Sequence, residues 1–387
     1  MADKKGTPLT GIDGFPEDAT DKLAELWITT AEELVGIARQ EGVDGLSVFL
    51  DATEEEVGAL VDLANDALPD DVAMSDDVME VALGAMDAAE GEHPDDEPVS
   101  MAPLPPIINL LPGMPAVRDQ KNRGTCVAHA CAAVREYLLG EDSTEDNLSE
   151  QFLYWACKQR DNWPGEGTWI KYGMAILQDT GICAEGIWPY NPNPEAGNES
   201  QGPPPADAVG KAGNFKITGF SKTQPRWTTK IREALADGKP VAFAVPVYNY
   251  WLTDPARTTG DLRMPMPTDS NIGGHAMAMV GYEDDPDVPG GGFFLIRNSW
   301  GTDWAADSPL QAGYARLPYQ YIAMFGRSAY TAAAAAPPPD PEPEPEQPVE
   351  PEPNEPQPEQ PEPEEPEKPD IGDDISDWLR RLMDRFK

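Results

Sequence analysis

Histidine is almost missing from this chain: three residues among 387, His93, His129 and His275. Accidental pairings of an imidazole with another reactive side chain are correspondingly few. Basic residues are also scarce, 28 Lys and Arg against 69 Asp and Glu. That balance argues against a nucleic-acid partner, because phosphate binding depends on Lys and Arg. There is no run of about 18 apolar residues, so no helix is expected to span a membrane. The opening MADKKGTPLTG has no apolar core of the kind a secretory signal carries, and the expected location is cytoplasmic.

The negative charge is unevenly spread. Residues 1–100 hold 27 acids and 4 bases, and residues 337–387 hold 17 and 5; the stretch between has 25 and 19. The middle of the chain is therefore only mildly acidic, and the flanks carry the field. Such a field weakly favours basic substrates through long-range steering.

What the middle does contain is a cysteine, a histidine and an asparagine in settings that suit nucleophilic catalysis. A thiol attacks carbonyl groups as the thiolate, and free cysteine is mostly protonated near neutrality. Cys126 follows a turn at Arg123-Gly124. The run Val127–Leu139 after it lacks Gly and Pro, so it predicts a helix with Cys126 in its first turn. Unpaired N–H groups and the dipole favour negative charge there. His275 follows Gly273-Gly274 and opens Ala276–Tyr282, which predicts a buried strand with the imidazole at its mouth. Asn298 ends a second strand-like run, Phe293–Ile296, and its side-chain carbonyl suits it to orient an imidazole. Trp300 would cover that hydrogen bond. Gln120, six residues before Cys126, offers an amide that could join the Cys126 backbone N–H in an oxyanion hole. Each residue alone has an ordinary structural use; the set together points to acyl transfer.

QKNRGTC, GGHAMAMVGY and RNSWGTDW, in this order, resemble the papain-like cysteine peptidases. The resemblance runs from about Pro112 to Tyr330 and takes in LSEQFLYWAC (148–157) and GICAEGIWPY (181–190). Cys126 lies 149 residues before His275 and 172 before Asn298. The resemblance implies an α+β, papain-like two-lobe fold, one lobe helical and one a small β-barrel, with the site in the cleft between. It implies Cys126 as nucleophile, His275 as base and acid, Asn298 as orienter and Gln120 in the oxyanion hole. Substrate-binding residues would be Gly167 and Thr168, with Trp169, Val245, Gly274 and Trp300 around the pocket. No metal or cofactor is needed. The chain departs from the family where Arg123 replaces a cysteine, Val127 an aromatic and His129 a phenylalanine. His129 is expected to pack in the interior. The usual cystine partners are absent, so Cys126, Cys131, Cys157 and Cys183 are read as reduced thiols, Cys126 reactive and the others packing. The cluster Glu283, Asp284, Asp285 and Asp287 reads as a solvated loop.

Around the peptidase domain, 104–331, lie four further segments. Residues 1–67 predict a small all-α module with a capping box at Thr29 or Thr30 and a second Thr-initiated helix at Thr53, weakly similar to helix-hairpin-helix modules; its lack of bases favours protein contact or packing on a lobe. Residues 68–103 read as an acidic flexible linker with a short helix over 77–89. Residues 332–369 read as an Ala/Pro/Glu-rich disordered spacer. Residues 370–387 predict an amphipathic helix, with Ile375, Trp378, Leu379, Leu382, Met383 and Phe386 on one stripe. Its partner would be a protein groove, a compartment shell or a membrane surface. The expected function is a cysteine endopeptidase acting on a peptide or protein. Two other readings use the same residues: a non-catalytic binding protein of this fold, and a transpeptidase or isopeptidase.

Overall fold

Short-range capping signals start two of the first four helices. Thr30 accepts from the Glu33 backbone while Glu33 reaches back to the Thr30 N–H, opening α2 (Ala31–Glu41). Thr53 and Glu56 repeat the device for α4 (Glu54–Asp66). With α1 (Glu17–Glu25) and α3 (Asp44–Leu50) these helices enclose Leu23, Ile28, Leu34, Leu46 and Val57. The computed structural model describes residues 4–69, 72, 74–75, 77–89, 103–140, 147–223 and 228–333. The helix expected over 370–387 and nearly all of the expected spacer lie outside these residues.

The module packs on the rest of the chain. Met266 joins its core, the Met264 N–H donates to Leu26 O at 2.9 Å, and Trp27 stacks on Phe293 at 6.0 Å. Gly36 lies so close to the Asp254 carbonyl that a Cβ there would stand 2.8 Å from it.

The helical lobe consists chiefly of α5 (Cys126–Tyr137), α6 (Glu150–Asp161) and α7 (Ile170–Asp179), followed by the short α8 (Ala208–Ala212). The other lobe is an antiparallel sheet built from β1 (Ile107–Asn109), β2 (Gly219–Thr223), β3 (Val241–Tyr248), β4 (Asn271–Asp284), β5 (Gly292–Arg297), β6 (Tyr314–Pro318) and β7 (Ser328–Ala333). Its order is β2-β7-β3-β4-β5-β6, with β1 also on β4, so among the described residues the expected barrel is open between β2 and β6. Ala332 and Ala333 belong to the last strand rather than to a spacer. The helices α9 (Thr228–Ala236), α10 (Ala256–Thr259) and α11 (Tyr319–Phe325) complete this lobe.

Alternation along β4 sets the site. Ala276, Ala278 and Val280 face the core shared with α5, while Met277 and Met279 face the core lined by Trp251 and Trp300. The small alanines let α5 lie close to the strand, with Ala128 and Ala132 buried on the helix side. Where the sequence suggests a helix over 77–89, the structure has an extended stretch ending in a single 3-10 turn, Met86–Ala89. Its backbone groups bond to Leu252, Gly274 and Thr168, partners that a helix would forgo. Nor is the 283–287 loop merely solvated: Asp284 pairs with Arg232 at 2.6 Å and accepts from the Tyr319 hydroxyl, and Asp285 is buried.

Candidate active site

Cys126 is the first residue of α5 and fully buried. Thr125 provides no side-chain cap, so first-turn N–H groups remain for the sulfur. Backbone N–H groups of Ala276, Gly84 and Val127 approach it. Burial pushes the thiol up to about 11, against the pull of those amides.

His275 lies inside β4, opposite Val245 of β3, rather than at the strand's mouth, because β3 continues the pairing beyond it to Asn271. Its Nε2 is 2.8 Å from Asn298 Oδ1. That oxygen also accepts the Ser299 N–H at 2.8 Å, so it can only be an acceptor and the imidazole must carry its proton on Nε2. Nδ1 is left with a lone pair, buried and without a hydrogen-bond partner. Trp300 stacks on the ring at 4.6 Å and 26°. Burial lowers the imidazole to about 4, with Asn298 pulling the other way. Thiol and imidazole are thus both neutral in this arrangement.

Gln120 is held at both ends. Its backbone N–H donates to Ser299 O at 2.9 Å, and its Oε1 accepts from Ser299 Oγ at 2.6 Å. The Tyr190 hydroxyl donates to Gln120 O at 2.8 Å and lies 2.7 Å from Thr125 Oγ1, which pins the turn before α5. Gln120 Nε2 donates to Arg123 O at 2.9 Å and to Ala82 O at 2.8 Å. A side-chain amide bonded to the turn that leads into α5 therefore also grips a peptide carbonyl.

That carbonyl belongs to the chain itself. Residues 77–89 run between the lobes. The Met79 N–H donates to Leu252 O, Ala85 to Gly274 O, Met86 to Thr168 O, and Thr168 back to Gly84 O, at 2.9–3.1 Å. Ala85 and Thr168 bridge in parallel. Gly84 is pressed against the Gly124 backbone, and Leu83 lies against Gly273. Further along, Asp87 Oδ2 accepts the Ile170 N–H at 2.8 Å.

The expected binding residues divide. Thr168 and Gly274 supply backbone groups to the bound segment. Gly167 contributes by having no side chain, since a Cβ would come within 2.6 Å of Gly84 O. Trp169 lines a pocket with Asp87. Val245 is fully buried behind His275, and Trp300, 1 % exposed, shields the imidazole instead of offering a surface to substrate. His129 is interior: 2 % exposed, edge-on to Tyr190, its Nδ1 3.1 Å from Thr125 O, and lowered by burial to about 3. The four cysteines are free. Arg123, which departs from the cysteine of the family pattern, is buried and ties three segments together through Gln151 Oε1 (2.7 Å), Asn191 O (2.7 Å) and Glu199 O (3.2 Å). Sequence reasoning missed Ser299 and the groove segment. The one available signal for the latter was Gly84 among Val81, Leu83 and Met86, apolar residues within an acidic stretch.

The profile of the papain family cysteine proteases matches residues 112–330. An uncharacterized peptidase C1-like protein of Acanthamoeba polyphaga mimivirus is 27 % identical, over 56 % of this chain and 68 % of its own length. A cathepsin B-like protein of Giardia intestinalis is 28 % identical, over 53 % of this chain and 64 % of its own. The matched region thus spans about two thirds of the curated relatives' length. The crystal structure of xylellain, a cysteine protease from Xylella fastidiosa, superposes with a TM-score of 0.57 at 26 % identity, covering 68 % of this chain and all of that one.

Proposed function

This chain belongs to the papain family of cysteine proteases, and from that premise we propose that it is a cysteine endopeptidase held latent by its own residues 77–89. The observation that carries the reading is the grip of Gln120 Nε2 on the Ala82 carbonyl, two residues before the Gly84 backbone that reaches Cys126: the groove already binds a peptide backbone through a donor aimed at a carbonyl oxygen.

With the groove open, His275 Nδ1 takes the Cys126 proton and the sulfur attacks the scissile carbonyl carbon. The oxyanion accepts from Gln120 Nε2 and the Cys126 backbone N–H. The imidazolium gives its proton to the leaving amine, and the C–N bond breaks to leave a thioester. Water, deprotonated by the same Nδ1, attacks the thioester; the acid leaves and the thiol is restored. Asn298 holds the ring in the tautomer this sequence requires.

The latent state follows from what faces the sulfur. The Gly84 N–H faces it from the segment that fills the groove, and neither the thiol nor the imidazole is charged. Endopeptidase action is supported by the course of the segment, which enters past Leu252 and leaves past Ile170, so the groove admits chain at both ends. The test is a peptide-library digest read by mass spectrometry, with the full chain and its Cys126→Ala variant. Internal cleavage that requires Cys126 supports the reading. Amide formation with an added amine in place of hydrolysis would move it to a transpeptidase.

A further inference from the structure

Behind the turn that leads into α5 runs a hydrogen-bond relay with a fixed direction. Carbonyl oxygens only accept, and that rule places each proton along it. His129 Nδ1 lies 3.1 Å from Thr125 O, so Nδ1 carries the ring proton. The Thr125 hydroxyl, 3.4 Å from the same nitrogen, therefore finds no acceptor there. Its proton goes to the Tyr190 hydroxyl oxygen, 2.7 Å away. Tyr190 gives its own proton to Gln120 O, at 2.8 Å. Burial pushes this phenol up to about 12, so it stays a donor through neutrality.

The peptide unit that receives this proton is pinned at both edges. Its carbonyl is Gln120 O, and its N–H, that of Lys121, donates to Asp119 Oδ1 at 2.8 Å. The pinning opposes strain, because Lys121 has φ 51°, in the left-handed region that a Cβ disfavours. Release of one edge lets the plane rotate and the turn relax. Gln120 Nε2, which closes this turn on Arg123 O at 2.9 Å, then loses its fixed bearing.

We propose that Tyr190 is a positioning residue of the oxyanion hole, its one hydroxyl clamping residue 120 to residue 125 and so setting the separation of the two donors, Gln120 Nε2 and the Cys126 N–H. The inference rests on the reading that Cys126 attacks peptide carbonyls in this groove. One oxygen atom holds both ends of the turn: it donates to the residue that carries the first donor and accepts from the residue just before the second. Both donors must reach a single developing oxyanion, so their separation acts on the transition state more than on bound substrate. Tyr190 is itself anchored. Its N–H donates to Glu185 Oε1 at 2.7 Å, its ring meets His129 edge-on at 4.9 Å, and the Arg123 guanidinium lies 5.2 Å from the ring centre.

The test uses the full chain carrying Gly84→Val, which unseats the segment, and steady-state kinetics on one cleaved peptide. Tyr190→Phe keeps the ring between His129 and Arg123 and removes only the hydroxyl. The expected result is a kcat about fivefold lower with KM changed less than about twofold. With Gln120→Ala also present the donor pair is already broken, and Tyr190→Phe should then change kcat less than about twofold. Thr125→Val, which removes the hold on residue 125, serves as a second variant with the same sign and the same dependence on Gln120. A kcat for Tyr190→Phe within about twofold of the parent, or a loss that Gln120→Ala does not diminish, overturns the proposal. If no peptide is cut while Cys126 still alkylates, the peptidase reading fails instead, and proton exchange in the chain with Gly84 intact decides the clamp. There the Gln120 Nε2 protons, bonded to Arg123 O and Ala82 O, should exchange at least about threefold faster in Tyr190→Phe, read by NMR of glutamine-labelled protein. Exchange equal to that of the parent overturns it.

Discussion

Replacing Gly84 by valine should unmask the nucleophile. A Cβ at residue 84 would overlap the Gly124 carbonyl and stand 2.7 Å from Gly124 Cα, and neither is a side chain that can swing aside. The segment must move, and three hydrogen bonds go with it: Thr168 N–H to Gly84 O, Ala85 N–H to Gly274 O, and Gln120 Nε2 to Ala82 O. At about 1 kcal/mol net for each, the closed state loses about 3 kcal/mol. That corresponds to a rise of about 100-fold in the open fraction. The rate of Cys126 alkylation by iodoacetamide at pH 7 follows that fraction, and mass spectrometry of the labelled peptide reports it residue by residue. The pH midpoint of labelling should fall from about 11 towards or below the ordinary thiol value of about 8.5, since burial holds it up. Gly58→Val is the control, because a Cβ there meets nothing within 4 Å. A Gly84→Val chain that melts as the parent does and labels within threefold of its rate would refute the argument.

Three other outcomes are expected. In the unlatched chain Gln120→Ala should lower kcat by roughly 10²–10³-fold with little change in KM, because its amide acts on charge that develops at the carbonyl. Arg123→Met should cost about 3 kcal/mol in urea unfolding, since two half-buried backbone carbonyls and the buried Gln151 Oε1 lose their charged donor; a loss under 1 kcal/mol would show that water replaces the guanidinium. Acid should destabilise the fold through His129. Its pKa is lowered to about 3 in the folded chain, below the ordinary value of about 6.5, so its contribution is present above pH 6.5 and is lost as pH falls towards 3. His129→Phe removes about 3 kcal/mol of that loss at pH 4, read as the difference in urea midpoint between pH 7 and pH 4. An identical pH dependence in the two chains would assign the loss elsewhere.

The helix after Cys126 and the strands around His275 and Asn298 are legible because local pattern and burial agree there: an Ala-rich run free of Gly and Pro, then two apolar runs. The two capping boxes are legible for the same reason, since Thr30 and Glu33 are three residues apart. Legibility fails where partners are distant in sequence. Residues 77–89 carry a helical pattern and a linker's acidity, yet their hydrogen bonds are made with residues 168, 252 and 274. Tertiary pairing overrode the local preference. Asp87 reads as one more acid in an acidic stretch, and only the fold reveals that it caps a helix beginning at Ile170. The sequence position of Trp300 next to Asn298 puts it beside the imidazole, but its burial, invisible in the sequence, makes it a shield.

Arg123 has a consequence for how this enzyme is handled. A guanidinium that rivets three chain segments has no oxidised and reduced form. Reducing agents that keep the Cys126 sulfur available cannot loosen that fastening, and an oxidising medium adds nothing to it. Among the described residues, the conditions that preserve the nucleophile and those that preserve its scaffold do not conflict.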